Sequence, residues 1–265
     1  MPYNPDRINI HELTVEEPEK QEGLPFDPER DITEKGWNYL KSEFESQHDG
    51  NLWFFSYTAS QLKILDPLFD LRITPEIWES FGDSLNAIRH HTVKNWDNFS
   101  ATAARMKIID NDKNLNINQN DWRSMQQKLD KLRKQRLWGA FAVHAASMKI
   151  LDPRIDFKVD EETRRDMIKE IKNETTFASI FAEHAAAMKI LGIAFEVDKF
   201  FWRMMQEELK EEQAQGKSFS KLAVDMKILV AEEVEVTDKG LEITMPKPKE
   251  DLKQGIQHLP EVKQF

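Results

Sequence analysis

The sequence predicts an all-α protein: a right-handed helical-repeat solenoid of about five helix pairs, with an extended N-terminal arm and a small C-terminal β-hairpin cap. Two observations lead to this prediction. One eleven-residue pattern occurs five times, and a second pattern with a helix start alternates with it. A two-helix unit that repeats in this way buries its apolar faces by stacking on its neighbours.

The first pattern is Phe-x-x-x-Ala-x-x-(Met/Leu)-Lys-Ile-(Leu/Ile), which we call helix B. Its five copies begin at Phe55, Phe99, Phe141, Phe181 and Phe219, so that successive copies are 44, 42, 40 and 38 residues apart. Phe, Ala and Met fall at i, i+4 and i+7, which is the apolar stripe of a buried helix. The central alanine allows a neighbouring helix to approach closely.

The second pattern, helix A, begins with a residue that favours the N-cap position. These residues are Thr33, Thr74, Asn118, Asp160 and Asp198, and Trp follows four positions later in every copy except the fourth. An apolar residue precedes each cap, as in a hydrophobic staple. The period lies in the size range of HEAT and armadillo repeats, but the chain lacks their Pro, Asp and Arg pattern, so we assign no family.

The segment after each helix B places two apolar residues two positions apart, as Leu71 and Ile73 do. This period of two is typical of extended chain. The segments either pack as staples or pair as a narrow parallel ladder along one edge. The last copy, residues 233–245, has a Thr-Asp-Lys-Gly turn between two alternating runs, which predicts a β-hairpin at the open end of the solenoid.

Composition divides the chain into three parts: an acidic, proline-rich arm (1–32), the five-repeat solenoid (33–230), and a C-terminal hairpin and tail (231–265). The formal net charge of the whole chain is −10. Residues 1–34 hold ten acidic and three basic residues, a net of −7, so the other 231 residues carry −3. A nearly neutral body disfavours a nucleic-acid partner.

Several classes of function lack a sequence signal. The chain has no cysteine, no apolar run long enough to span a membrane and no signal-peptide pattern, so we expect a cytoplasmic protein without membrane insertion. We find no phosphate-binding loop, nucleophile elbow or zinc-protease motif. We therefore expect no enzyme activity, no cofactor and no metal.

Two repeated positions allow a functional alternative. The lysines Lys63, Lys107, Lys149, Lys189 and Lys227 either face the dipole of their own helix end or form a binding rim. His144 and His184 occupy equivalent positions in adjacent copies. They are either histidines that form local hydrogen bonds in the core or part of a metal or small-molecule site, which would need further ligands.

The function that these features favour is a non-catalytic interaction scaffold or structural subunit, which binds a protein partner or itself through its arms and solenoid surface. The alternatives are a helical-repeat nucleic-acid-binding protein, or a small-molecule- or metal-binding enzyme that uses the His144/His184 region. The candidate partner-binding residues are apolar anchors in the arm and a basic ridge: Ile8, Ile10, Leu13, Phe26, Lys128, Lys131, Arg133, Lys134 and Arg136.

Overall fold

The structure, a computed structural model, describes residues 26–48, 52–91, 95–173 and 177–246. This part of the chain is mostly helical and ends in a small antiparallel sheet, in agreement with the predicted class. The elements are α1 (Pro28–Asp31), α2 (Glu34–His48), α3 (Leu52–Leu65), α4 (Pro75–His90), α5 (Trp96–Ile109), α6 (Gln119–Lys134), α7 (Trp138–Leu151), α8 (Glu161–Asn173), α9 (Ala178–Ile190), α10 (Lys199–Gln215), α11 (Ser220–Val230), β1 (Glu233–Thr237) and β2 (Gly240–Thr244).

The five B helices, α3, α5, α7, α9 and α11, pack against one another in chain order, and α11 also packs against α3. They therefore form a closed inner ring. The A helices, α2, α4, α6, α8 and α10, pack on the outside, each against the inner helices beside it. The predicted open solenoid with a capped end requires correction, because the first and last helix pairs are in contact.

We call the contact between the first and last helix pairs the seam. Hydrogen bonds at the seam repeat those found elsewhere around the ring. Lys189 Nζ on α9 donates to the Leu229 carbonyl at the end of α11 (2.8 Å). One step further, Lys227 Nζ on α11 donates to the carbonyls of Ile64 (2.7 Å) and Leu65 (3.1 Å) at the end of α3. The last inner helix, α11, thus binds the first, α3, in the same way as α9 binds α11. The bonds also show that α9, α11 and α3 run in the same direction.

The outer helices close the ring in a similar way. Near the end of α6, Arg133 Nη2 donates to the Lys158 carbonyl ahead of the next outer helix (3.3 Å). Gln213, at the same position of α10, accepts from the Thr33 backbone N–H (2.9 Å) and donates to the Asp31 carbonyl (3.1 Å). Outer helix α10 therefore contacts the start of α2 through the same helix position that α6 uses to contact the start of α8.

One continuous core confirms the predicted role of the repeat pattern. The five repeat Phe residues and the five repeat alanines are all buried and belong to a single apolar cluster. The inner helices are buried on the sides that face their two ring neighbours and the outer layer, which explains their apolar composition.

The five predicted N-caps of the outer helices are confirmed by side-chain hydrogen bonds. Thr74, for example, accepts from the Ile77 N–H, and Asn118 forms a reciprocal capping box with Asp121. The Trp residues four positions after the caps are half-buried and pack against the core. Arg164, which replaces Trp in the fourth copy, donates to the Ala194 carbonyl instead (3.3 Å).

The first four segments after helix B contain no regular strand within the described residues, so for these segments the staple applies and not the parallel ladder. Leu71 is buried, and Ile73 is half-buried against the core. The predicted hairpin is present, with Thr237 paired with Gly240 at its turn. It contacts α5 and α9 of the inner ring rather than covering a free end.

The first described residues belong to the folded body. Phe26 and Ile32, which the composition of the chain assigns to the arm, are buried in the core cluster. Phe26 is therefore not an exposed anchor for a partner. The other predicted arm anchors, Ile8, Ile10 and Leu13, lie outside the described residues.

The seam hydrogen bonds lead to a first prediction. We expect Lys227→Met to lower the free energy of unfolding by about 2 to 3 kcal/mol, because it leaves the carbonyls at the end of α3 without their charged donor. The control is Lys63→Met, since Lys63 Nζ donates to the exposed Pro67 carbonyl of its own turn (2.8 Å), and we expect a loss of about 1 kcal/mol or less. Urea denaturation measures the free energy of unfolding of both variants. Equal losses would contradict a specific stabilising contribution of the Lys227 hydrogen bonds at the seam.

Candidate functional site

The ring has two faces. We call the end at which the inner helices begin the N-face, and the end at which they finish the C-face. The hairpin lies on the C-face, where Asn111 Nδ2, just after the end of α5, donates to the Asp238 carbonyl in the hairpin turn (2.5 Å).

Exposed apolar side chains are concentrated on the N-face. Phe54 and Ile180 each precede a repeat Phe and are 47% and 37% exposed. Leu137 and Phe177, just before α7 and α9, are 48% and 54% exposed. We call these four residues the apolar rim. Large apolar side chains that stay exposed in this way mark candidate interaction sites.

The hydrogen bonds at the starts of α7 and α9 explain why apolar residues can occupy N-cap positions, which are normally polar. Leu137 and Phe177 are N-cap residues whose side chains make no cap hydrogen bond. Glu170 on α8 instead accepts from the backbone N–H groups of Trp138 (3.2 Å) and Gly139 (2.9 Å). Because a neighbouring outer helix supplies the cap, the N-cap position does not need a polar side chain.

The same arrangement occurs one step further around the ring. Glu208 on α10 accepts from the N–H groups of Ala178 (3.0 Å) and Ser179 (3.3 Å) at the start of α9. Glu170 and Glu208 lie at equivalent positions, ten residues after the N-caps of their own helices. Both exposed apolar N-caps therefore depend on a carboxylate from the next outer helix.

Below the apolar rim, a cluster of charged side chains lies on the inner side of the ring. Its members occur two or six residues after a repeat Phe, which is about one or two helical turns beyond the repeat position that Phe54 and Ile180 occupy. We call them the axial cluster: Tyr57, Arg105, Glu183, Lys221 and Asp225. Lys221 Nζ is 3.0 Å from both Glu183 Oε1 and Asp225 Oδ2. The Arg105 guanidinium lies over the Tyr57 ring, 4.6 Å from its centroid.

Electrostatic coupling within the axial cluster crosses the ring. Burial lowers the pKa of Arg105 on α5, and Tyr57 and then Glu183 partly oppose this lowering. Glu183 lies on α9, which α7 separates from α5 in the ring order. Five helices spaced 8 to 10 Å apart lie about 7 to 8.5 Å from a common axis, so that the space between them has roughly the width of side chains. The side chains of Lys221 and Glu183 nevertheless remain 33% and 35% exposed. Solvent therefore reaches the cluster.

Burial and the neighbouring charges act against each other on the protonation equilibria of the cluster. Burial raises the pKa of Asp225 to about 6, against the opposing charge of Lys221. Burial also disfavours the charged form of Lys221, but the carboxylates of Asp225 and Glu183 outweigh it and raise its pKa. The pKa of Arg105 is lowered by burial. The axial cluster is thus a mutually paired set of charges that carries both signs.

His144 is a core histidine with both ring nitrogens occupied. Its Nε2 lies 3.0 Å from the Met125 carbonyl, which can only accept, so Nε2 carries the proton and Nδ1 accepts from Ser100 Oγ (2.8 Å). Ser100 and His144 are fully buried, and burial lowers the pKa of His144. This geometry joins α5, α6 and α7, and it leaves no ring nitrogen for a metal or a substrate.

His184 lies against the backbone of α7. A Cβ added to Gly139 would overlap the His184 ring, so that the absence of a side chain at residue 139 is what admits the ring. Within the described residues, we find no group of three or more His, Asp or Glu side chains that could hold a metal ion. The two histidines therefore occupy separate packing sites on neighbouring helices.

The predicted basic ridge on α6 is divided among several contacts. Lys128 Nζ forms an ion pair with Asp97 Oδ2 (2.6 Å), and Arg136 Nη1 lies 3.9 Å from Asp166 Oδ2. Arg133 is engaged with the Lys158 carbonyl. The exposed lysines of the ridge are Lys131 and Lys134.

None of the described helices is long and apolar enough to cross a membrane. Comparison of the chain with known protein families, curated proteins and solved structures gives no match. A function for the chain must therefore be inferred from the geometry of the two faces and of the axial cluster.

The Gly139–His184 contact gives a second prediction. We expect Gly139→Ala to destabilise the protein by about 1 to 3 kcal/mol, because the new methyl group must displace the His184 ring. Gly82→Ala is the matched control, since a Cβ at Gly82 in the middle of α4 meets nothing within 4 Å, and there we expect a gain of about 0.5 to 1 kcal/mol. Thermal or urea denaturation measures both, and a neutral Gly139→Ala would contradict the close packing.

The burial of His144 gives a third prediction. Its folded-state pKa lies below the ordinary 6.5, so the unfolded chain takes up a proton first as the pH falls. The stabilising contribution of neutral His144 is therefore present above pH 6.5 and is lost as the pH falls below that value. We expect the wild type to lose more stability than His144→Gln between about pH 7.5 and about pH 5. Parallel losses in urea denaturation would contradict a buried neutral histidine.

Proposed function

We propose that this chain is a non-catalytic interaction protein, a scaffold or structural subunit, that binds a protein partner through the apolar rim of its N-face. The observation that carries the proposal is the exposure of Leu137 and Phe177 at N-cap positions. Polar residues are strongly preferred at such positions. Here the carboxylates of neighbouring outer helices make the cap, which leaves the cap side chains available for another role.

The surroundings of the rim support a protein partner. Phe54 and Ile180, each one residue before a repeat Phe, add two further exposed apolar side chains on the inner helices. The axial cluster, with charges of both signs, provides polar contacts beneath it. An apolar centre next to paired charges is typical of protein–protein interfaces, in which aromatic residues anchor the contact. A cytoplasmic location and a contribution from the N-terminal arm remain part of the proposal.

The test compares two exposed-residue variants of the full chain. We expect Phe177→Ser with Ile180→Ser to weaken binding by about 2 kcal/mol or more, roughly 30-fold, because it removes two apolar contacts from one part of the rim. Phe200→Ser is the control, since Phe200 is 57% exposed but lies at the start of outer helix α10. Both variants replace exposed side chains and should change the stability of the fold little.

The measurement is affinity purification from the native cells, with quantitative mass spectrometry of the proteins that copurify. The proposal predicts proteins whose recovery falls with the rim variant and stays unchanged with Phe200→Ser. Recovery that is equal for the wild type and both variants would contradict it. Nuclease treatment of each sample separates a protein partner from the nucleic-acid alternative, because nucleic-acid-bridged recovery disappears.

A further inference from the structure

The C-face contains a groove of about 390 Å³ between the inner ring and the hairpin. Its apolar wall is formed by the ends of α3 and α5 on one side and by β2 on the other, through residues such as Ile64, Ile108, Leu241 and Ile243. This groove lies on the face opposite the apolar rim. Nothing in the proposed function uses it.

Positive charge predominates in the groove. It is lined by four lysines and one carboxylate, Asp110; the lysines are Lys63, Lys107, Lys227 and Lys239. Lys63 and Lys107 each donate to a backbone carbonyl just beyond their own helix. An ammonium group has three donors, and its full charge exceeds the half charge of a helix end. These lysines therefore keep donors and net positive charge for a further acidic group.

Charges at the start of the described chain act on one lysine of this groove. Phe26 is buried, and Asp27 caps α1. Burial lowers the pKa of Lys227, and the negative charges of Asp66, Asp27 and Glu29 partly offset that effect. The carboxylates of Asp27 and Glu29 are thus close enough to a lysine of the groove to influence it. The chain that precedes Phe26 consequently starts within reach of the groove.

The preceding 25 residues have a composition that complements the groove. They contain six acidic and two basic residues, a net of −4, together with apolar residues such as Ile8, Ile10, Leu13 and Val15. Fully extended, they could span roughly 80 Å. In the described chain β2 has β1 as its strand partner, and the edge of a two-stranded sheet is a common acceptor for an extended peptide.

We propose that the groove on the C-face binds the acidic N-terminal segment of the same chain, residues 1–25. The glutamates would contact Lys63, Lys107 and Lys239, while the isoleucine and leucine side chains would contact the apolar wall. The docking leaves the N-face free. It revises only the contribution of the N-terminal arm in the proposed function, and binding of a partner at the apolar rim does not depend on it.

Lysine acetylation of the full chain tests this docking, because a lysine that binds a carboxylate reacts slowly. The variant neutralises all six acidic residues of the segment: Asp6→Asn, Glu12→Gln, Glu16→Gln, Glu17→Gln, Glu19→Gln and Glu22→Gln. The control neutralises three acidic residues near the other end of the chain, Glu250, Asp251 and Glu261. Mass spectrometry reports the rates at Lys63, Lys107 and Lys239, with Lys131 and Lys134 on α6 as references.

We expect acetylation of the groove lysines to accelerate about tenfold in the six-site variant, given an effective concentration on the order of 1 mM and an affinity on the order of 0.1 mM. The control variant and the α6 lysines should show unchanged rates. Unchanged rates at the groove lysines, or an acceleration at Lys131 and Lys134 instead, would overturn the proposal. Protection that disappears on dilution of the wild type would also overturn it, since the segment would then come from a second copy.

Discussion

The packing of α11 against α3 is the contact on which the rest of the structure depends. In an open array the last inner helix would leave one side exposed to water, yet in α11 even Asp225 and Lys227 are buried together with the apolar residues. Lys227 binds the carbonyls at the end of α3, and Gln213 binds the start of α2 on the outer layer. Closure thus gives every inner helix two neighbours and converts five marginal units into one core.

Closure also determines the chemistry of the two faces. The axial cluster brings Arg105, Glu183 and Lys221 together from three different inner helices, which requires these helices to surround a common axis. Paired in this way, the charges avoid the high cost of isolated buried ions. On the N-face, the carboxylates of Glu170 and Glu208 cap inner helices that have no polar cap of their own. The exposed apolar surface proposed to bind a partner is a consequence of this division between inner and outer helices.

Much of the architecture could be predicted from the sequence because it depends on local patterns. The five N-caps, the burial of Phe141 and its equivalents, and the hairpin with Gly240 at its turn each follow from residues close together in the chain. Closure could not be predicted, because periodicity shows which side of a helix is buried and not whether the ends of an array meet. The axial cluster was missed for a related reason. Its signal is the presence of Lys221, Asp225 and Glu183 in helices that are otherwise apolar, and that signal has a clear meaning only once the ring is known.

A distance between the first and last helix pairs tests the closed ring most directly. Lys35 on α2 and Lys210 on α10 are exposed and line the same cavity of about 550 Å³ at the seam. The chain has no cysteine, so Lys35→Cys with Lys210→Cys allows two spin labels to be attached at defined positions. A closed ring predicts a single distance population below about 25 Å in pulsed electron paramagnetic resonance. A population beyond about 35 Å, which corresponds to four helix spacings of 8 to 10 Å along an open array, would contradict it.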